Sequence, residues 1–433
     1  MRLATAFRQP SDPEHKGEHV KIVVVGGGVA GLVTALSLHA AGTTPLVCES
    51  ARELRAVGVG INLLPHAVRE LAELGLGDAL DAIALPPERL VYCDRLGRQI
   101  WEEPLGLKAG YRWPQYSVHR GELQMLLLDA VRTRIGPDAI RTGMAFERFE
   151  HQEPGTAAHF VDRHTGSSVV IEADVLVGAD GIDSRLRAQL HPGEGAPRGN
   201  GVQMWRGMSR YPHILGGRAI VVAGGRPGDK FVAYPVDDPA VEGGPTLMNW
   251  VLEIRRPEPP DGLDRSNRPI PTGEVLAELS GWDLPWVDLP ELIRNSTDVY
   301  EYPMVDRDPL PRWSFGRVTL VGDAAHPMYP MGMNGGSQSI VDARVLAWAL
   351  SQHDDPVRAL EQYENLRREP LNQLVLANRE LGPEKIIALA EEIGGPVPAE
   401  QATTVSQGYK QLAGCTTAEL NSRDSWSVSP VGP

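Results

Sequence analysis

Residues 20–31 read Val-Lys-Ile-Val-Val-Val-Gly-Gly-Gly-Val-Ala-Gly, and this stretch decides the fold. Val20–Val25 is an apolar, β-branched run, too short for a helix, which predicts a buried parallel strand. Gly26–Gly31 then fits G-x-G-x-x-G. In that pattern Gly26 permits the tight turn, Gly28 lets backbone approach a pyrophosphate, and Gly31 lets the following helix pack closely on the strand. A helix is expected over Val29–Ala41, stopped by Gly42, with a second short strand over Pro45–Glu49. The N-terminus of such a helix offers free N–H groups and a partial positive charge to phosphates. Glu49 closes the second strand near the spacing of about 20 residues expected of a ribose ligand. Together these make a βαβ dinucleotide unit. A glutamate at that place disfavours a 2′-phosphate, so the ligand reads as FAD or NAD and not NADP.

Working outward, helices are expected over Pro65–Leu74, Leu123–Arg134, Ser337–Leu350 and Val357–Leu381. Short buried strands are expected over Val169–Ile171, Ala173–Ala179 and Val318–Val321. Residues 200–300 differ in character. Ala219–Ala223, Phe231–Tyr234 and Met248–Ile254 are strand-like runs between Gly/Pro turns, the pattern of an antiparallel sheet. The α/β segments therefore flank an inserted sheet, and the dinucleotide domain is discontinuous. The last forty or so residues are polar and broken by Gly and Pro, so only partial order is expected there.

Composition limits the function classes. The chain has 433 residues, with 42 Lys and Arg against 56 Asp and Glu, a formal net charge of −14. An acidic balance argues against nucleic-acid and anionic-membrane partners. No apolar stretch approaches the ~20 residues of a membrane span. Residues 1–19 lack the apolar core of a signal peptide. Cys48, Cys93 and Cys415 are scattered, with no C-x-x-C, which argues against a disulfide framework or a zinc site and fits a reducing cytoplasm. There are 46 glycines and 36 prolines, above the usual share and dispersed, so many tight turns are expected.

Two further motifs carry chemistry. One is Gly178-Ala179-Asp180-Gly181 with Ser184 and Arg187; the other is Gly322-Asp323-Ala324-Ala325-His326-Pro327 at a strand end. With G-x-G-x-x-G they form an ordered triplet. The chain resembles the single-component FAD-dependent aromatic hydroxylases typified by p-hydroxybenzoate hydroxylase, over roughly residues 20–420. The stretches Gly58–Ala67 and Tyr329–Gln338 are most similar to the salicylate-hydroxylase-like branch, and within it to phenazine-modifying monooxygenases.

The resemblance implies an α/β fold: a Rossmann-like FAD-binding domain with an inserted antiparallel-sheet substrate domain and C-terminal helices. The implied parts are a disordered leader (1–19), FAD-binding segments 20–90, 119–195 and 301–394, substrate segments 91–118 and 196–300, and a tail (395–433). It also implies that Gly26, Gly28, Ala30 and Gly31 hold the FAD pyrophosphate, and Glu49 the adenosine ribose. Gly60, Ile61 and Arg120 reach the flavin side. Asp180 serves the D-G motif, and Asp323 binds the ribityl chain. Pro330, Gly332 and Asn334, with Gly335 and Gly336, form the catalytic flavin-side loop. A glycine-rich loop leading into a helix would aim N–H groups and a dipole at an anionic reduced flavin. Substrate contacts are expected from Trp205, Arg206, Tyr234, Trp250 and Tyr329. His326 and His66 read more simply as structural. Gly336 stands where many members carry a larger residue, which leaves room for a fused ring.

The expected activity is hydroxylation of an electron-rich, carboxylated or fused-ring aromatic, with or without decarboxylation, through a flavin hydroperoxide. NADH or NADPH would be a transient donor and dioxygen a substrate, with the protein acting as a monomer or homodimer. Only one G-x-G-x-x-G is present, so the donor has no Rossmann domain of its own. The alternatives are an oxygenase that inactivates an antibiotic and a flavin-bearing protein that binds a small aromatic without turnover. The W-x-W-x-I-P signature of flavin halogenases is absent.

Overall fold

The structure, a computed structural model, describes residues 20–225, 228–239, 241, 243–256 and 268–428. The expected leader 1–19 lies outside the described residues. Strand Ile22–Val25 is fully buried and is followed by helix Val29–Ala40 and strand Leu46–Glu49. Strands Val175–Gly178, Val318–Leu320 and Ile140–Thr142 join them in a five-stranded, wholly parallel sheet with Ile22–Val25 at its centre. A parallel sheet is stable only when both faces are covered. Helices Val29–Ala40, Arg120–Arg134 and Gly335–Gln352 share its core, as do Phe146, Phe149 and Phe160 of a three-stranded antiparallel sheet over residues 144–173.

The insert forms an eight-stranded sheet. Its order is Arg268–Pro269, Ser296–Asp306, Arg198–Tyr211, Thr246–Arg255, Lys230–Pro235, Ala219–Gly224, Arg89–Cys93 and Gln99–Pro104. All neighbours are antiparallel except Arg89–Cys93 beside Ala219–Gly224. Side chains alternate between faces along each strand. Trp205, Phe231, Trp250 and Leu252 enter one core against residues 270–293. Tyr92, Ile220, Val222 and Tyr234 enter another on the opposite face. Among the described residues no helix is long and apolar enough to cross a membrane.

Several boundaries differ from expectation. Helix Arg120–Arg134 begins before Leu123, because His119 Nδ1 accepts the Glu122 N–H and caps it. Strand Gly60–Leu63, which pairs with Tyr116–His119, is an element the residue pattern did not announce. The C-terminal stretch is more regular than its composition implies, with helices Lys385–Ile393, Ala399–Leu412 and Thr417–Ser422.

Candidate active site

The parallel sheet, the eight-stranded sheet and the C-terminal helices enclose one large cavity of about 630 Å³, within the usual range for small-molecule sites. Gly28 and Ala30 line it at the N-terminus of helix Val29–Ala40, which has no side-chain cap. A Cβ at Gly28 would meet nothing within 4 Å, whereas one at Gly31 would fall 1.9 Å from the Gly26 carbonyl. Gly28 is thus the open surface and Gly31 the packing contact. Gly26, with φ +108, turns the chain against Ala179. Glu49 does not line the cavity. Its carboxylate accepts the Gly27 and Ala51 N–H groups at 2.6 Å each and holds the loop.

Deeper in, Asp323 and Arg120 line the cavity. Among the described residues neither side chain has a hydrogen-bond or ion-pair partner. Asp323 is exposed where it lines the cavity, and desolvation by the surrounding protein raises its pKa, against the pull of His326 and Arg120. His326 anchors the loop by bonding Asp342, which also accepts the Gly322 N–H at 3.0 Å and Arg367 at 2.8 Å. Burial alone would raise Asp342, yet His326 and Arg367 outweigh it and hold the carboxyl at about 2. His66 is buried, and burial lowers its pKa to about 3, so it is neutral and structural. Asp180 lies beside the cavity and accepts the Arg185 N–H at 2.9 Å, leaving its Oδ1 without a partner. Arg187 ties this segment to the loop through the carbonyls of Ala324 and Ala325.

Pro330, Gly332, Asn334, Gly335 and Gly336 all line the cavity, at the uncapped start of helix Gly335–Gln352. Gly332 has φ +65, and a Cβ there would fall 2.3 Å from the ring of Tyr409. The Tyr409 hydroxyl lies 2.9 Å from the Met331 carbonyl and 2.7 Å from Asn378 Oδ1, and accepts Asn334 Nδ2 at 3.3 Å. The C-terminal helix therefore holds the shape of this loop.

The roof is the face of the eight-stranded sheet that carries Met204, Arg206, Ile220, Val222, Tyr234 and Glu253. Arg206 donates to the Gly60 carbonyl at 2.7 Å, lies over Tyr302, and keeps a buried Nε without a partner among the described residues. It points into the cavity and not to solvent. Gly60 sits under Asn249, whose Oδ1 accepts its N–H at 2.8 Å, while Ile61 lines the cavity. Trp205, Trp250 and Tyr329 do not line it. Trp205 and Trp250 occupy the alternate positions of their strands, which face the other core. Tyr329 packs behind the loop, its hydroxyl 3.3 Å from the Arg198 carbonyl.

Residue reasoning missed two charged clusters in the wall. Lys230 contacts Glu253 at 3.1 Å and Glu384 at 2.8 Å. Burial raises Glu253 to about 7 against the opposing pull of Lys230. Glu103 accepts Lys410 and Ser406, each at 2.7 Å. Lys230 was legible, since it alternates with Val232 and Tyr234 on one strand face and is a charge in an apolar run. Gln124, four residues after Arg120 on one helix face, donates to the Gly27 carbonyl at 2.8 Å and had the same kind of signal.

Unpaired opposite charges on Asp323 and Arg120, two uncapped helix N-termini and open glycine surfaces fit a flavin dinucleotide. An FAD binding domain model matches residues 19–244 and 291–378. The chain is 46% identical to phenazine 1,6-dicarboxylic acid hydroxylase PhzS of Lysobacter antibioticus, over 85% of this chain and 94% of that protein. It is 32% identical to 3-hydroxybenzoate 6-hydroxylase 1 of Aquipseudomonas alcaligenes, over 81% and 85%. Its structure is similar to that of Klebsiella pneumoniae HpxO complexed with FAD and uric acid, with TM-score 0.72 and 26% identity over 95% and 97% of the two chains. The chain belongs to the FAD-dependent aromatic hydroxylases, a family of flavoprotein monooxygenases.

Proposed function

We propose that this protein hydroxylates a planar, fused-ring aromatic acid of the phenazine class, with or without loss of a carboxyl group, using NADH or NADPH as a visiting donor. The observation that carries this reading is the shape of the cavity. An apolar strip of Leu90, Tyr92, Ile220, Val222 and Val232 faces the flavin-side loop, and a Cβ at Gly336 would meet nothing within 4 Å. An apolar strip of that extent suits the face of a flat fused ring. The similarity to a phenazine dicarboxylic acid hydroxylase supports the same size.

Bound FAD supplies the redox chemistry, carrying electrons from NAD(P)H to dioxygen. Gly28, Ala30, Arg120, Asp323 and the loop Pro330–Gly336 would hold it, with Glu49 and Asp180 shaping the loops around it. The apolar strip of the roof would exclude water from the reacting face and restrict the ring to one plane. Arg206 and Tyr234, which line the roof beside Gly60, meet a polar substituent of the substrate.

The test is a panel of phenazine acids, hydroxyquinoline acids, salicylate and hydroxybenzoates, scored for stimulated NADH and NADPH oxidation and for product mass. Phenazine acids are expected to stimulate most and to give products heavier by one oxygen, or with hydroxyl in place of carboxyl. Turnover of single-ring acids alone would overturn the fused-ring reading, and binding without any oxygenated product would favour a non-catalytic role.

A further inference from the structure

We propose that Gln115 and Lys410 form a carboxylate seat at the end of the cavity closed by the C-terminal segment. The proposal rests on the aromatic-acid reading above and locates one polar group of that substrate.

Gln115 is 2% exposed, lines the cavity, and its Nε2 has no partner among the described residues. A buried amide donor left unpaired is costly, and such groups mark places where a ligand or water completes the bonding. Lys410 lines the same cavity. Its ammonium has three N–H donors, one of which goes to Glu103 Oε2 at 2.7 Å. Ser406 also donates to that oxygen. The Tyr111 hydroxyl donates to the Cys415 carbonyl at 2.7 Å.

Two contacts bring these groups to one end. Gly106, with φ +49, lets the chain leaving strand Gln99–Pro104 rest on Gln115, where a Cβ would fall 2.6 Å from the Gln115 nitrogen. The Tyr111–Cys415 bond, with the Cys415 N–H to the Lys410 carbonyl at 2.9 Å, brings in the turn that ends the Lys410 helix. Two N–H donors of Lys410 and those of the Gln115 amide have no partner among the described residues. A group that only accepts, a carboxylate, satisfies them best.

This end is distinct from Arg206. Arg206 lies on strand Arg198–Tyr211 and Glu103 on the edge strand Gln99–Pro104, with four strands between them. Ser406 and Lys410 also lie beyond residue 378, where the FAD binding domain match ends. The cationic half of the seat therefore comes from this chain's C-terminal segment, and the amide half from within the matched domain.

The experiment uses the FAD-loaded protein without NADH and follows the flavin absorbance change on titration with phenazine-1-carboxylate and with unsubstituted phenazine. Salicylate and phenol form a second acid and neutral pair. Gln115→Leu removes an unpaired amide and no existing hydrogen bond, so it is expected to fold. It should raise the Kd of the phenazine acid about tenfold while moving phenazine less than about threefold, the scale of one hydrogen bond to a charged group. The double variant Lys410→Met with Glu103→Gln keeps the site neutral and should do the same. Equal losses for acid and neutral ring, or no loss for either, overturn the seat. So does loss of acid preference in Arg206→Leu with Gln115→Leu unchanged. If wild type binds neither phenazine, the fused-ring reading fails and the seat is judged on the salicylate pair. If no acid binds more tightly than its neutral partner in wild type, the seat itself is overturned.

Discussion

Asp323 lines the cavity with no side-chain partner among the described residues, and desolvation pushes its pKa upward. A carboxylate kept in that state answers to a ligand's hydroxyls. Asp323→Ala should weaken FAD binding by about 1–3 kcal/mol, the scale of one lost buried partner, measured by titrating apoprotein with FAD. Unchanged affinity would remove Asp323 from the cofactor site. Glu253 makes a pH prediction. It faces Lys230, Glu384 and Arg206, and burial lifts it from 4.5 to about 7. Between those values the folded protein keeps a proton that the unfolded chain has released. Glu253 therefore stabilises fully below about pH 4.5, and the contribution is lost as pH rises through about 7. Wild-type Tm should fall more steeply from pH 5 to 8 than that of Glu253→Gln; parallel slopes would count against the assignment. At this scale the glycine motif, Asp323, Arg120 and His326 were legible because each sits in a motif whose chemistry demands its type. Trp205 and Trp250 misled because an aromatic on a strand signals packing on either face, and only the register settles which. Gln115 gave no signal at all, since a lone glutamine between Pro114 and Tyr116 fits no motif and only the fold brings it to the cavity wall.

The loop Pro330–Asn334 and the helix Gly335–Gln352 act as one element, and Tyr409 fixes its entry. Gly332→Ala would place a residue at φ +65 and drive a methyl into the Tyr409 ring. The left-handed backbone alone costs about 1–2 kcal/mol, so Tm and FAD occupancy should both fall. A variant as stable and as yellow as wild type would mean that the loop is free to move. Tyr409→Phe is the gentler companion: the ring stays against Gly332 while the hydroxyl goes, and with it the single proton shared between Met331 and Asn378 and the acceptor for Asn334. It should keep FAD but alter the flavin absorption envelope and slow reduction by NADH in stopped flow. Identical spectra and rates would limit Tyr409 to packing. The helix after the loop was visible in its apolar spacing, although its first turn, made of Gly335 and Gly336, has poor propensity and was placed too late. The helix Ala399–Leu412 was not visible. Its buried face is Ala402, Ser406 and Tyr409, at helical spacing, but small or polar residues carry no hydrophobic period.

At the scale of the molecule, the alternation of α/β segments with a strand-rich insert made it readable that distant segments share the parallel sheet. The share taken by the last forty or so residues was not readable, because their partners are remote in sequence and the few apolar anchors carry no period. Arg69 donates to the Arg423 carbonyl at 2.8 Å, and Glu70 holds Arg344 at 3.2 Å and the Trp426 N–H at 3.3 Å. Trp348 and Trp426 pack edge to face with centroids 5.0 Å apart, and Leu420 is wholly buried. These contacts seat the segment against helices Pro65–Glu73 and Gly335–Gln352, while Ser406, Tyr409 and Lys410 reach the cavity. The cofactor-facing groups Gly28, Ala30, Arg120 and Asp323 all lie outside it. A chain ending at Gly394 should therefore still take up FAD, because none of those groups is removed. It should melt lower, since Glu103 loses its cation and Arg69 its carbonyl partners, and leaving such buried groups unpaired costs about 1–3 kcal/mol each. It should also lose the closed end of the cavity. NADH oxidation should then no longer respond to aromatic acids, and electrons should leave as hydrogen peroxide, because an open site lets water reach the reacting face. The measurements are FAD content, Tm, and peroxide formed per NADH consumed with and without phenazine-1-carboxylate. Full acid-stimulated turnover with little peroxide in the shortened chain would show that the C-terminal segment only covers the surface and builds no wall of the site.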